Sequence, residues 1–253
     1  MKQLLNIAVV VLLTLSSVSC VLEDESSRST EGLATTLWYR SKEHIDIVRK
    51  GVEEAIHIGN IMMVADADKK AQYLDSHFAG ATLTTTNLGC VINMPTDYGT
   101  SISWSVTHRN NPFGEGEWTI SRSGGQSYEL TISPQTSGDM IAQYAFYYNG
   151  AQRGEAFLRF TYEQEDVLAD IRTNYVGIIE VVDDSESAKN PLYLTIDLRQ
   201  PLAISENYGI MSGEVDIECV DTLYGSTDSI SVSISESSRQ TVVECYGECY
   251  TLN

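Results

Sequence analysis

Four histidines, 35 acidic residues and five cysteines are the groups in this 253-residue chain that could do chemistry. A helical zinc protease needs two histidines at i and i+4 around a glutamate, a spacing that puts both imidazoles on one face. His44, His57, His77 and His108 are not spaced that way. His44 and His57 are about 220° apart around a helix, so exposed or capping positions are expected for the histidines. Glycoside hydrolysis needs two carboxylates on facing elements. Among 35 acids no pair stands out, although Glu115 and Glu117 lie beside Trp118. Asp183, Asp184 and Glu186 crowd one segment, and Asp66 and Asp68 another. Hard oxygen ligands suit Ca²⁺, but no spaced Asp-x-Asp-x-Asp-Gly loop is present, so these read as solvated charge. No Gly-x-Ser-x-Gly elbow and no phosphate-cradling glycine-lysine loop occurs. No catalytic residue, metal site or cofactor is expected.

The fifth cysteine has a different setting. Lys2 is followed by an apolar run from Leu4 to Leu15, then by Ser16, Ser17, Val18, Ser19 and Cys20. A positive start, about a dozen apolar residues and a small-residue cleavage site make a secretory signal. The run is shorter than the roughly 20 residues that span a bilayer. Cys20 in this place resembles a bacterial lipobox, although Ser17 stands where such motifs usually carry leucine. The acidic cluster Glu23, Asp24 and Glu25 resembles the export signal of Bacteroidota surface lipoproteins. The resemblance implies a lipid on Cys20, an outer-membrane address and surface exposure. It covers about the first 25 residues and implies no activity.

With Cys20 acylated, four thiols remain: Cys90, Cys219, Cys245 and Cys249. Export favours oxidation, and four cysteines allow three pairings. Cys245-Tyr246-Gly247-Glu248-Cys249 is a short loop able to close on itself. Aromatics offer a different chemistry. Tyr144, Phe146 and Tyr148 share one strand face, and Leu158, Phe160 and Tyr162 share one on the next. Tyr147 and Phe157 fall out of phase with these core faces, as residues that stay outside would. An exposed ring can stack on the C–H face of a sugar.

These groups need elements to hold them. Residues 1–19 form the signal, and 20–31 the lipidated cysteine and an acidic tether. Residues 32–79 have helical period: Ile45, Val48, Val52, Ala55, Gly59 and Met62 make one stripe. Thr35, Thr36, Ser41 or Asp46 could cap its start, and Asp66 to Lys70 could cap a second helix holding Leu74. Glu53 falls off the stripe. From residue 80 to 253 the period is two. Ile102, Trp104 and Val106 alternate with Ser103, Ser105 and Thr107, and about eleven strands follow this pattern. Such alternation describes antiparallel sheet with one face in water. The expected fold is α+β and mainly β: an N-terminal helix packed on a large antiparallel meander, sandwiched or barrel-like. The polar stretch 183–190 either divides two sheets or is one long loop.

Composition limits the function classes. Hydrophobic residues make up 42% of the chain, enough for a core. Removal of residues 1–19 leaves 15 Lys+Arg against 35 Asp+Glu, a net charge of −20. Such a field repels phosphate backbones and excludes a nucleic-acid partner. The expected function is a non-enzymatic cell-surface module, binding a glycan or protein or serving adhesion and assembly. A lipid-anchored polysaccharide hydrolase and a purely structural envelope protein are the alternatives.

Overall fold

The computed structural model of the protein describes residues 29–108, 116–166, 168–183, 191–221, 225–238 and 240–252. The helix α1 spans Thr30–Met63 and α2 spans Ala67–His77. Ser29 caps α1, its hydroxyl accepting from the Gly32 amide at 3.1 Å, with Glu31 in the first turn. A hydroxyl cap and an early carboxylate satisfy the free amides of a helix start. The helix therefore begins earlier than its period suggested, and takes up the end of the expected tether. Thr35, Thr36, Ser41 and Asp46 lie inside it. Asp66 caps α2, accepting from the Lys69 amide at 2.9 Å.

Thirteen strands follow among the described residues, two more than the alternation indicated. They are β1 (Thr82–Thr86), β2 (Gly89–Pro95), β3 (Ser101–His108), β4 (Trp118–Ser123), β5 (Ser127–Pro134), β6 (Met140–Tyr148) and β7 (Ala151–Glu163). Then come β8 (Arg172–Asp183), β9 (Leu192–Ser205), β10 (Gly209–Asp221), β11 (Ser226–Ser235), β12 (Gln240–Cys245) and β13 (Glu248–Leu252). Each pairs antiparallel with its sequence neighbours in one sheet. Local turns make this order. Asn149-Gly150 and Tyr246-Gly247 both have positive φ at each residue, the geometry of a two-residue hairpin turn. Asp183 of β8 pairs with Leu192 of β9, so the same sheet continues on both sides of residues 184–190. The sheet is open: it is neither a sandwich of two sheets nor closed into a barrel, since β1 and β13 are its two edges.

An open sheet with one apolar face must cover that face, and α1 does so. Trp104, Ile120, Leu130, Ile196, Ile217 and Val243 point inward and are buried, as are Ile45, Val48, Val52 and Ile58 of the helix. The expected stripe is correct but too narrow. Ala55 to Gly59 are five consecutive buried residues, so the covering reaches well round the helix. The sheet bends around α1, which meets β10 to β13 and also β5. Contact is close at Gly51. A Cβ there would lie 2.7 Å from Oη and 2.9 Å from Cζ of Tyr144 on β6. Glycine in mid-helix costs about 1 kcal/mol relative to alanine, and here it admits the tyrosine ring. By contrast α2 buries only Leu74.

Candidate functional site

The bend leaves a cleft of about 250 Å³ beside the C-terminal half of α1, lined in part by Lys50, Glu54, His57, Trp104, Arg122 and Glu206. Its charges are densely paired. Glu54 Oε2 accepts from Trp104 Nε1 at 2.8 Å and from Tyr128 Oη at 2.7 Å. Arg122 Nε lies 3.6 Å from the same oxygen, with the guanidinium over the Trp104 and Tyr128 rings. Burial, and then Glu54, push the Tyr128 hydroxyl well above its usual range, so it stays protonated and donates. Glu53 was expected on the exposed side of α1, but it is 5% exposed. Arg49 Nη1 donates to both Glu53 oxygens at 2.8 Å, and Arg49 Nε donates to Asp46 at 3.1 Å. Burial pushes the Glu53 carboxyl up to about 7, while Arg49 pulls the other way.

The histidines also depart from expectation. His57 is buried rather than exposed, because the sheet covers that side of α1 too. Its Nε2 lies 2.9 Å from Oε1 of Glu206, in the turn between β9 and β10. Its ring stacks on that of His77, the last residue of α2, with centroids 3.7 Å apart and planes 24° apart. The His57–Glu206 hydrogen bond holds the Glu206 carboxyl below its ordinary value. His44 sits 3.8 Å from Asp183, as does Arg40.

A second depression, of about 540 Å³, lies on the outer face of the sheet across β4 to β8. Phe157 on β7 is 56% exposed and Ile178 on β8 is 45% exposed. They pair directly, and Gln143 on β6 pairs with Phe157 from the other side. The next row on this face runs Glu129, Ala145, Glu155, Glu180 across four strands. Thr119 and Thr131 share a hydrogen bond at 3.2 Å on the same wall. The sequence phase of Phe157 thus leads to a real cavity. Tyr147 is elsewhere: it lines a separate depression with Tyr148, Arg153 and Asp183. A register shift beside it, between Phe146 and Tyr147, marks where the β6–β7 ladder changes course. Tyr148, expected inside with Phe146, is 57% exposed at that strand end.

The thiols divide between the faces. Cys90, Cys219 and Cys245 are buried and Cys249 is exposed, all unpaired. Cys245 pairs with Glu248 and Cys249 with Glu244, so the two cysteines point to opposite faces of one hairpin. A disulfide needs facing Cβ atoms, and the short loop does not close. Burial pushes the Cys90 and Cys219 thiols up to about 11 and about 12. Cys20, Glu23, Asp24 and Glu25 lie outside the described residues, as do Glu115, Asp184 and Glu186. Asp66 is a helix cap and Glu117 accepts from the Ser133 hydroxyl at 3.1 Å.

No protein-family model matches the chain, and neither curated proteins nor solved structures give a match. Function is therefore to be sought in the chemistry of these depressions, since fold alone does not define an activity.

Proposed function

We propose that the protein is a lipid-anchored, surface-displayed binding module whose ligand is a glycan, held in the outer depression around Phe157. The observation that carries this reading is an exposed aromatic ring with polar groups along its edge: Gln143 directly opposite, and Glu129, Glu155 and Glu180 in the adjacent row. The flat face of a ring stacks on sugar C–H groups, while carboxylates and amides bond the hydroxyls at the rim. Two of the carboxylates, Glu155 and Glu180, stand directly opposite each other. Like charges so placed destabilise a sheet, and sugar hydroxyls donating to both would offset that cost. The anchor is the lipid on Cys20, with the Glu23-Asp24-Glu25 cluster as its surface-export signal. An acylated cysteine carries several kcal/mol of membrane affinity per chain, at about 0.8 kcal/mol per buried methylene.

The hydrolase reading needs an acid and a base that are free to exchange protons with substrate. In the cleft beside α1, Glu53 and Glu54 already accept two strong hydrogen bonds each from the protein. That argues against hydrolysis in this cleft.

A glycan array probed with the full protein tests the reading. Phe157→Ala should lower affinity for any retained glycan at least tenfold, with its melting temperature unchanged. Retention of no glycan, or equal binding by the variant, would reject the glycan ligand. Cys20→Ala should move the protein from the membrane fraction to the soluble one. A variant still pelleting after carbonate wash would reject the anchor.

A further inference from the structure

We propose that His57, His77 and Glu206 form a binding site for a divalent transition-metal ion, with Zn²⁺ the best fit. Three distant stretches of chain bring these residues together. One ring nitrogen of each histidine and one carboxylate oxygen of Glu206 all lie within 4.8 Å of one another. A tetrahedral zinc ion takes nitrogen at about 2.0–2.1 Å and carboxylate oxygen at about 2.0–2.2 Å. Its donors are then roughly 3.3–3.5 Å apart. A turn of the His77 side chain that takes its ring out of the stack on His57 would bring the three donors onto one ion.

Three further observations point to an ion. The first is the ring stack. An ion pair between His57 and Glu206 needs no second imidazole, yet His77 lies against His57 at 3.7 Å. The second is a buried polar atom: His57 is 4% exposed, and its Nδ1 has no hydrogen-bond partner. Buried groups left in this state are commonly completed by water or an ion. The third is the rigidity of the setting. Asp170 braces the turn on both sides of Glu206, accepting from the Ser205 hydroxyl at 2.8 Å and from the Asn207 amide at 2.9 Å. Glu206 Oε2 also accepts from the Ile171 amide at 3.4 Å. Next to His77, Phe78 packs edge-on against Trp104, with centroids 4.9 Å apart. Outer contacts of this kind orient metal ligands.

The donor set selects the ion. Two imidazoles and one carboxylate suit zinc and its neighbours, whereas Ca²⁺ and Mg²⁺ prefer all-oxygen shells. Three protein ligands leave the fourth position to water or a small anion from the cleft. The ion would join α1, α2 and the β9–β10 turn in one clasp.

The test uses the full protein, freed of metal with a chelator and titrated with zinc by calorimetry and by melting. One ion per chain should bind, raising the melting temperature by about 5–10 °C at a hundredfold excess over Kd. Glu206→Gln, which keeps the side-chain shape, and His77→Ala should each weaken binding about 10–100-fold. Cys249→Ser should bind as wild type does. Cobalt gives a readout that does not depend on any variant folding: the bound ion should show visible bands without thiolate charge transfer. Absence of binding at millimolar zinc, equal binding by both ligand variants, or a thiolate spectrum would each overturn the proposal.

Discussion

The two faces of the one sheet treat charge in opposite ways. On the inner face, beside α1, Glu53 is gripped by Arg49, Glu54 takes Trp104 and Tyr128, and Glu206 takes His57. On the outer face Glu155 stands directly opposite Glu180, beside an exposed Phe157. The strands and their alternation are the same on both faces, and the surroundings differ. A carboxylate out of water must find donors or it costs several kcal/mol. One in water can face a like charge at a small, screened penalty. Inner polar groups are thus constrained by stability, while outer ones are free to be set by a ligand.

The largest effects should come from placing unmatched charge inside. Val52 is fully buried, so Val52→Asp should cost several kcal/mol, comparable with the stability of a whole domain. Circular dichroism should show loss of the β-sheet signal, because α1 packs on the inner face against β5 and β10 to β13. A native spectrum and melting temperature would mean that the helix is dispensable to the sheet. Glu53→Lys sets two cations side by side where a bidentate pair stood, and should cost about 3–5 kcal/mol in a urea melt. A cost under about 0.5 kcal/mol would place Glu53 on the outside of the helix.

Next in size are the packing differences between neighbours on one strand. Trp104 is 1% exposed and fills space against Phe78. Trp104→Ala should cost about 3–5 kcal/mol, and Ser103→Ala, on the opposite face, within about 0.5 kcal/mol. Equal urea midpoints would contradict the inside-outside phase of β3.

The mildest probe leaves the sequence unchanged. Of the four thiols beyond Cys20, only Cys249 should react with a thiol reagent at neutral pH in the folded protein. Burial keeps Cys90, Cys219 and Cys245 protonated and out of reach. All four should react in urea. Two or more reacting in the native state would show that the inner face is open to solvent.

Period-two alternation placed Trp104 and Val106 inside correctly, because a residue's face on a strand depends only on its position along that strand. Phe157 was legible for the same reason, and the outer depression contains it. Local chemistry also marked the Asp66 cap. The width of the buried helix surface was not legible. A stripe argument assumes one covered side, and the bend of the sheet covers more, which brought Glu53 and His57 inside. Nor could spacing reveal that His57 meets Glu206, 149 residues away. Adjacent cysteines misled in the opposite direction, since Cys245 and Cys249 are close in sequence but face apart.

Periodicity, turn residues and the N-terminal pattern belong to local sequence, and from them came the strand-by-strand phase, the helix stripe and the expectation of an anchor at Cys20. The curvature of the sheet, the wide burial of α1, the pairing of its charges and the meeting of His57, His77 and Glu206 were decided only by tertiary structure. The physical reason is that local energetics acts between residues a few positions apart. Burial and desolvation depend on the neighbours that the whole fold brings together.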